Sequence, residues 1–350
     1  MSQQRVPRIA TLAYAVPDRI IDQVETFDKV FRHLFAEVPT AESIFRNAGI
    51  RKRHWYCDPA GWKDGGADLA GERMRLWKQG ALEIGRRSVG QALAGVDPAR
   101  IGSMVTASCT GYDAPSPDML LAAEFGLSDR LRRTFIGHMG CYAAFNALKV
   151  ALDALAARPD EDVLVNCTEI CSAHMRTEAT VEQVVCHALF GDASAACVLT
   201  TSETATGPQV LGTHTETLYA TSGLMSWSVL DDGFRMHLSP RVPLILRDAA
   251  EGFVERTLAP LGLTAGEVEH WSIHAGGPRI IQAVVQALGL RPEQYRASTE
   301  VLAEYGNCSS PTSLLILHRL LNAHTPRPGS TGVLMAFGPG LTMEALVLRY

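Results

Sequence analysis

Apolar and polar positions alternate along this chain with two different periods. Six short runs are apolar or β-branched almost throughout: residues 103–108 (SMVTAS), 162–167 (DVLVNC), 194–199 (SAACVL), 271–274 (WSIH), 332–337 (GVLMAF) and 345–348. Runs of that length fit strands covered on both faces. A further β-type run, 133–136, leads into the turn Gly137-His138-Met139-Gly140. Between the runs lie stretches with helical spacing at 72–93, 142–155, 280–288 and 311–321. Strands alternating with helices predict a layered α/β fold.

The pattern also divides the chain. Residues 200–208 (TTSETATGP) are rich in turn formers and read as a connector between a first half, 1–205, and a second, 206–350. A strand, turn and helix around Cys141 is echoed by a strand, turn and helix around His274. Residues 38–66 are irregular and hold the cluster Arg51-Lys52-Arg53, which reads as a solvated patch or as a seat for an anionic group such as a nucleotide phosphate.

Composition narrows the class. Of 350 residues 47% are hydrophobic and 20% charged, which argues against disorder. The net charge of -5 leaves no basic surplus for nucleic acid. Eight cysteines are too few for a disulfide scaffold, and no run is long enough for a membrane span or a signal peptide. A cytoplasmic protein with free thiols is the expectation, so each cysteine must be weighed as filler, ligand or nucleophile.

Cys141 follows a β-type run and Gly140 and opens the pattern YAAFNALKVALDAL. A thiol at a helix N-terminus meets unpaired N–H groups and a dipole that favour the thiolate. The plain alternative is packing. His274 ends an apolar run and faces Gly276-Gly277-Pro278 after Ala275, a setting for a site rather than for a core histidine. His237 and His318 look like ordinary strand or helix residues. Asn307, in EYGNCSSPTSLLIL, reads as a helix N-cap or as an amide donor to an oxyanion; spacing alone favours the cap. Cys167, Cys171, Cys186 and His187 lack partners at zinc spacing, so no metal is predicted. Gly338-Pro339-Gly340 lacks the lysine of a phosphate loop and the spacing of a dinucleotide turn.

Taken in order, SCTGYDAPSPD, GHMGCYAA, ALFGDASAACVL, HAGGPRI, EYGNCSSPTSLLIL and AFGPGLTMEALVL resemble the type III polyketide synthases. These are the chalcone and stilbene synthase family of thiolase-like condensing enzymes, here in a form similar to the bacterial members. The resemblance spans nearly the whole chain, and its closing FGPGLTMEALVL is the most specific part. It implies a duplicated βαβαβ fold in αβαβα layers and a homodimer. It implies Cys141 as nucleophile with His274 and Asn307 as catalytic partners. Phe190 and Met236 match gatekeepers at the substrate tunnel, the second being usually Phe. Cys109, Thr110, His174, Trp227 and Ser309 match residues of the acyl cavity, where bulky His174 and Trp227 imply a reduced volume and a short chain. Ala114 stands where plant relatives project a methionine into the partner. Arg46, Arg51 and Arg279 are the nearest cations for coenzyme A, and an acyl carrier protein is a second route of delivery.

The implied reaction moves a starter acyl group from acyl-CoA to Cys141 and extends it by decarboxylative condensation with malonyl-CoA. Cyclisation then yields a pyrone or phenol. A thiolate–imidazolium pair of Cys141 and His274 is expected, with no organic cofactor. Two rivals keep the same three residues: a ketoacyl synthase III-like enzyme of one condensation, and a ketosynthase joining two β-ketoacyl thioesters into an α-pyrone. A non-catalytic binding protein of this fold is the rival from another class.

Overall fold

The computed structural model describes residues 5–59, 69–231 and 233–350. In chain order its strands are β1 (Arg8–Ala15), β2 (Ile20–Asp22), β3 (Lys52–His54), β4 (Ile101–Ser108), β5 (Arg132–Gly137), β6 (Asp162–Glu169) and β7 (Ala193–Thr200). They continue with β8 (Gln209–Thr217), β9 (Met225–Leu230), β10 (Gly233–Leu238), β11 (Val268–Ile273), β12 (Thr331–Gly338) and β13 (Thr342–Arg349). Nine of them form one mixed sheet in the order β11-β12-β13-β8-β1-β7-β6-β4-β5. Two hairpins, β9-β10 and β2-β3, stand apart from it.

The sheet repeats itself. In the first half β4 runs parallel to β6, β6 antiparallel to β7, and β7 antiparallel to β1. In the second, β11 runs parallel to β12, β12 antiparallel to β13, and β13 antiparallel to β8. Within the sheet the two copies pair through a single register pair, Arg8 with Gln209. The echo read in the sequence is therefore real but shifted. His274, after β11, is the counterpart of the residues after β4. The counterpart of Cys141 is Asn307, since each precedes the helix that leads into β6 or β12.

Layering follows from burial. Strands β6, β7 and β12 are buried along their whole length, as apolar runs covered on both faces must be. The helices Ala143–Ala157 and Thr312–Arg319 each pack on strands of both halves and form the middle layer. Ala143, Ala144, Ala147 and Ala151 are buried on the first of these, and small side chains let it approach closely. Helix Ala70–Ala92 covers the first half, while Val242–Leu258 covers the second. The result is the αβαβα arrangement expected from the resemblance.

The predicted elements are present with ends shifted by up to three residues: Ala70–Ala92 for 72–93, Ala143–Ala157 for 142–155 and Thr312–Arg319 for 311–321. Unread in the sequence were β1 and β8, whose mixed exposure at the seam hides the apolar signal. Residues 38–66 are not wholly irregular: they hold helix Ala41–Arg46 and β3. Their end, 60–66, lies outside the described residues.

Candidate active site

Turns from both halves converge on Cys141. Gly140 before it has φ 83°, and a Cβ there would lie 2.6 Å from Pro339 Cδ. Backbone and space both demand glycine. The thiol stands half-buried, one residue before the N-cap Tyr142 of helix Ala143–Ala157. Gly338-Pro339-Gly340, which binds no phosphate motif in sequence terms, forms the wall behind this turn. A Cβ on Gly338 would meet the Tyr142 ring at 2.6 Å.

Asn307 is clamped to the first half. Its N–H donates to the Leu189 carbonyl at 2.8 Å, and its carbonyl accepts from Gly191 N–H at 3.0 Å. Between these bonds lies Phe190, bridged to it in parallel. The side-chain Oδ1 accepts from Ser309 N–H at 2.8 Å. The amide faces Cys141 Sγ with both ends, Nδ2 at 3.8 Å and Oδ1 at 3.9 Å, so it can donate to the sulfur as well as accept from the S–H. This corrects the cap reading: the N-cap of Thr312–Arg319 is Pro311, and the amide serves a turn and the thiol instead.

His274 directly follows β11 and is buried. Its N–H donates to the Met335 carbonyl at 2.8 Å, and Gly276 N–H returns to its own carbonyl at 2.9 Å. The ring faces Asn307, the contact that partly offsets its burial. Neither ring nitrogen completes a hydrogen bond.

Burial, not the helix dipole, sets the resting charge states. It pushes the Cys141 thiol up to about 11, opposed by Asn307 and the Ser309 hydroxyl. It pulls His274 down to about 3. Burial thus works against the expected thiolate–imidazolium pair, raising the thiol and lowering the imidazole, with Asn307 partly offsetting both shifts.

Glu169 was missed. It ends β6, has no exposed surface, and gathers donors from both halves: Cys109 N–H at 2.9 Å, Thr110 Oγ1 at 2.6 Å and Ser310 Oγ at 2.5 Å. Burial raises its pKa against these bonds. The available signal was a carboxylate closing an otherwise apolar strand, which needs partners wherever it is buried.

The cavity residues form two groups. Phe190, Met236, His174 and Trp227 line one cavity, with Phe234 and Met175 beside them. Phe234, also missed, is the inward neighbour of Met236 two positions along β10. Cys109 and Ser309 instead lie by the thiol, while Thr110 is held by Glu169 and the Ile170 N–H. Cys109 Sγ accepts from Gly140 N–H at 3.1 Å, and Ser309 holds an unusual φ of 56°. The Cys109 and Thr110 carbonyls anchor the two bulky wall residues: Trp227 Nε1 donates to the first at 3.1 Å and His174 Nε2 to the second at 2.5 Å.

The basic cluster separates. Alternation along β3 turns Arg53 inward, where it donates to the Ala188 carbonyl at 2.5 Å and lies 4.7 Å over the Trp55 ring. Reading it as solvated is corrected. Arg51 and Lys52 stay at the surface, both paired with Glu304. Arg46 pairs with Glu42 at 2.7 Å, and Arg279 is exposed on the first turn of Pro278–Leu288.

Similarity to known proteins agrees with this arrangement. Residues 3–203 match the N-terminal domain of chalcone and stilbene synthases and residues 210–350 the C-terminal domain. The chain is 33% identical to a 3,5-dihydroxyphenylacetyl-CoA synthase of Amycolatopsis orientalis, covering 99% of this chain and 94% of that one. It is 32% identical to an alpha-pyrone synthesis polyketide synthase-like protein of Mycobacterium tuberculosis, covering 97% and 90%. The crystal structure of 1,3,6,8-tetrahydroxynaphthalene synthase from Streptomyces coelicolor, a bacterial type III polyketide synthase, superposes with a TM-score of 0.91. It is 27% identical over 98% of this chain and 99% of that one.

Proposed function

The chain belongs to the chalcone and stilbene synthase family and is a type III polyketide synthase, and on that premise we propose how it works. Cys141 takes an acyl group from an acyl-CoA starter and extends it with malonyl-CoA, and the chain then closes to a pyrone or a phenol. The observation that carries the reading is the Asn307 amide held 3.8 Å from Cys141 Sγ, its oxygen already engaged by Ser309.

Loading begins when the thiol gives its proton to His274 and attacks the thioester carbonyl, releasing the coenzyme A thiol. Neither group is charged alone in this buried setting, but the two charges formed by transfer stabilise each other. Malonyl thioester then loses CO2. Donors from Asn307 Nδ2 and the His274 ring stabilise the enolate oxygen as its charge develops. The carbanion equivalent attacks the acyl-Cys141 thioester, forms the new C–C bond and returns the thiolate, which is reprotonated. The thioesters bring the activated carbonyls, so the scheme asks for no organic cofactor or metal.

Coenzyme A phosphates are assigned to Arg46, Arg51 and Arg279. The pairs with Glu42 and Glu304 are surface pairs of at most about 1 kcal/mol, which a phosphate can displace. A homodimer in the cytoplasm completes the proposal. The dimer is supported by β5, one of the two edge strands of the sheet, and by exposed Tyr112, Met119, Leu120 and Met139 around it. Among the described residues no helix is long and apolar enough to cross a membrane.

Incubation with malonyl-CoA and a panel of acyl-CoA starters, read by mass spectrometry, tests the scheme. Products carrying two or more extensions support it. A single condensation identifies the ketoacyl synthase III-like alternative, and acylation only from carrier proteins replaces coenzyme A as the donor.

A further inference from the structure

The cavity lined by Phe190, Trp227 and Met236 is walled mainly by aromatic and sulfur side chains, and one polar atom of its lining residues has no partner. His174 is 5% exposed and sits in the turn after β6. Its Nε2 lies 2.5 Å from the Thr110 carbonyl, which only accepts, so Nε2 carries the proton. Burial holds the imidazole neutral, with a pKa near 4, and leaves it that single proton. Nδ1 is therefore a lone-pair acceptor, buried and without a donor.

The ring cannot turn to find one. It stacks on Phe234 at 4.4 Å between centroids and 2° between planes, with Trp227 edge-on at 6.4 Å. Trp227 is itself pinned by the Cys109 carbonyl, the residue before Thr110. The His174 and Trp227 anchors thus rest on the segment that also packs against the Cys141 turn through Cys109 Sγ. A rigid, desolvated acceptor rejects a ligand that cannot donate to it, because the unmade bond stays unmade.

We propose that His174 Nδ1 accepts a hydrogen bond from a hydroxyl on the distal part of the acyl group carried by Cys141. The cavity thereby selects acyl chains bearing an alcohol, phenol or enol O–H over chains ending in hydrocarbon. This deepens the reading of the site as an acyl-Cys141 cavity and rests on it. Gln183, the other polar wall residue, carries an amide that both donates and accepts and so does not impose the same choice.

The test uses ω-hydroxyacyl thioesters of short chain length, each beside the isostere in which methyl replaces hydroxyl. Cys141 acylation and kcat/KM are measured for wild type, His174→Phe and His174→Asn. Phe keeps a ring to stack on Phe234 and removes the acceptor, while Asn returns an amide oxygen near the place of Nδ1. Wild type should favour the hydroxylated member by about tenfold or more at one chain length. His174→Phe should bring the ratio to about one, and His174→Asn should restore part of it. The methyl-ended isostere reports folding within each variant. A wild-type ratio of one or below overturns the inference, as does a preference that survives His174→Phe. Failure of every thioester to acylate Cys141 overturns the parent reading as well, and so is told apart from failure of this one alone.

Discussion

The turn that carries Cys141 and the turn that carries Asn307 occupy equivalent places in two copies of one topology, yet they do different work. Each precedes a middle-layer helix, Ala143–Ala157 or Thr312–Arg319, and each includes a residue in the left-handed region: Gly140 at φ 83° and Ser309 at φ 56°. One turn presents a thiol and the other an amide, and they meet 3.8 Å apart. Duplication brings two helix N-termini to one point. In the proposed scheme the two side chains divide the chemistry, one forming the bond and the other steadying the charge.

Removing the nucleophile should break that division completely. Cys141→Ala should abolish the acyl-enzyme in intact-protein mass spectra, and product formation with it. Asn307→Ala should lower kcat by about 10² to 10³, the usual cost of one oxyanion donor, while Cys141 still acquires the acyl mass. Loss of loading with decarboxylation intact would reverse the roles assigned to the two turns.

Gly140→Ala should destabilise the fold by about 1–3 kcal/mol, because the new Cβ meets both a disfavoured φ and Pro339. Thermal melting checks it, and an unchanged midpoint would show that the turn can relax. The resting charge states give a smaller test. With the thiol pushed up to about 11, iodoacetamide labelling of Cys141 in substrate-free enzyme should climb roughly tenfold per pH unit through neutrality. A plateau below about pH 7 would mean that the ion pair forms before substrate arrives. The last effect concerns product, not rate: Trp227→Gly should enlarge the cavity and add at least one extension to the chain. Unchanged product length would leave Trp227 as a wall without control over size.

Much of this was legible in the sequence. The buried strands β6, β7 and β12 announced themselves because strands covered on both faces must be apolar throughout. Cys141 and His274 stood out because each sits where an apolar run breaks at glycines. Asn307 was visible as both cap and donor, but spacing ranked the cap first, since an Asx-type turn and an N-cap use the same neighbours in the chain. Glu169 and Phe234 were missed because their meaning lies in partners far along the chain: Ser310 for the carboxylate and His174 for the ring.

The sequence by itself determined the alternation that builds the layers, the glycines that permit the turns, and the resemblance that names the family. Tertiary structure alone decided the geometry by which the Asn307 amide meets Cys141 and the inward turn of Arg53. It also decided how strongly burial opposes charge on the thiol and the imidazole. The reason is physical: local pattern sets which backbone shapes a segment can take, whereas a group's charge depends on how much water and which partners packing leaves around it.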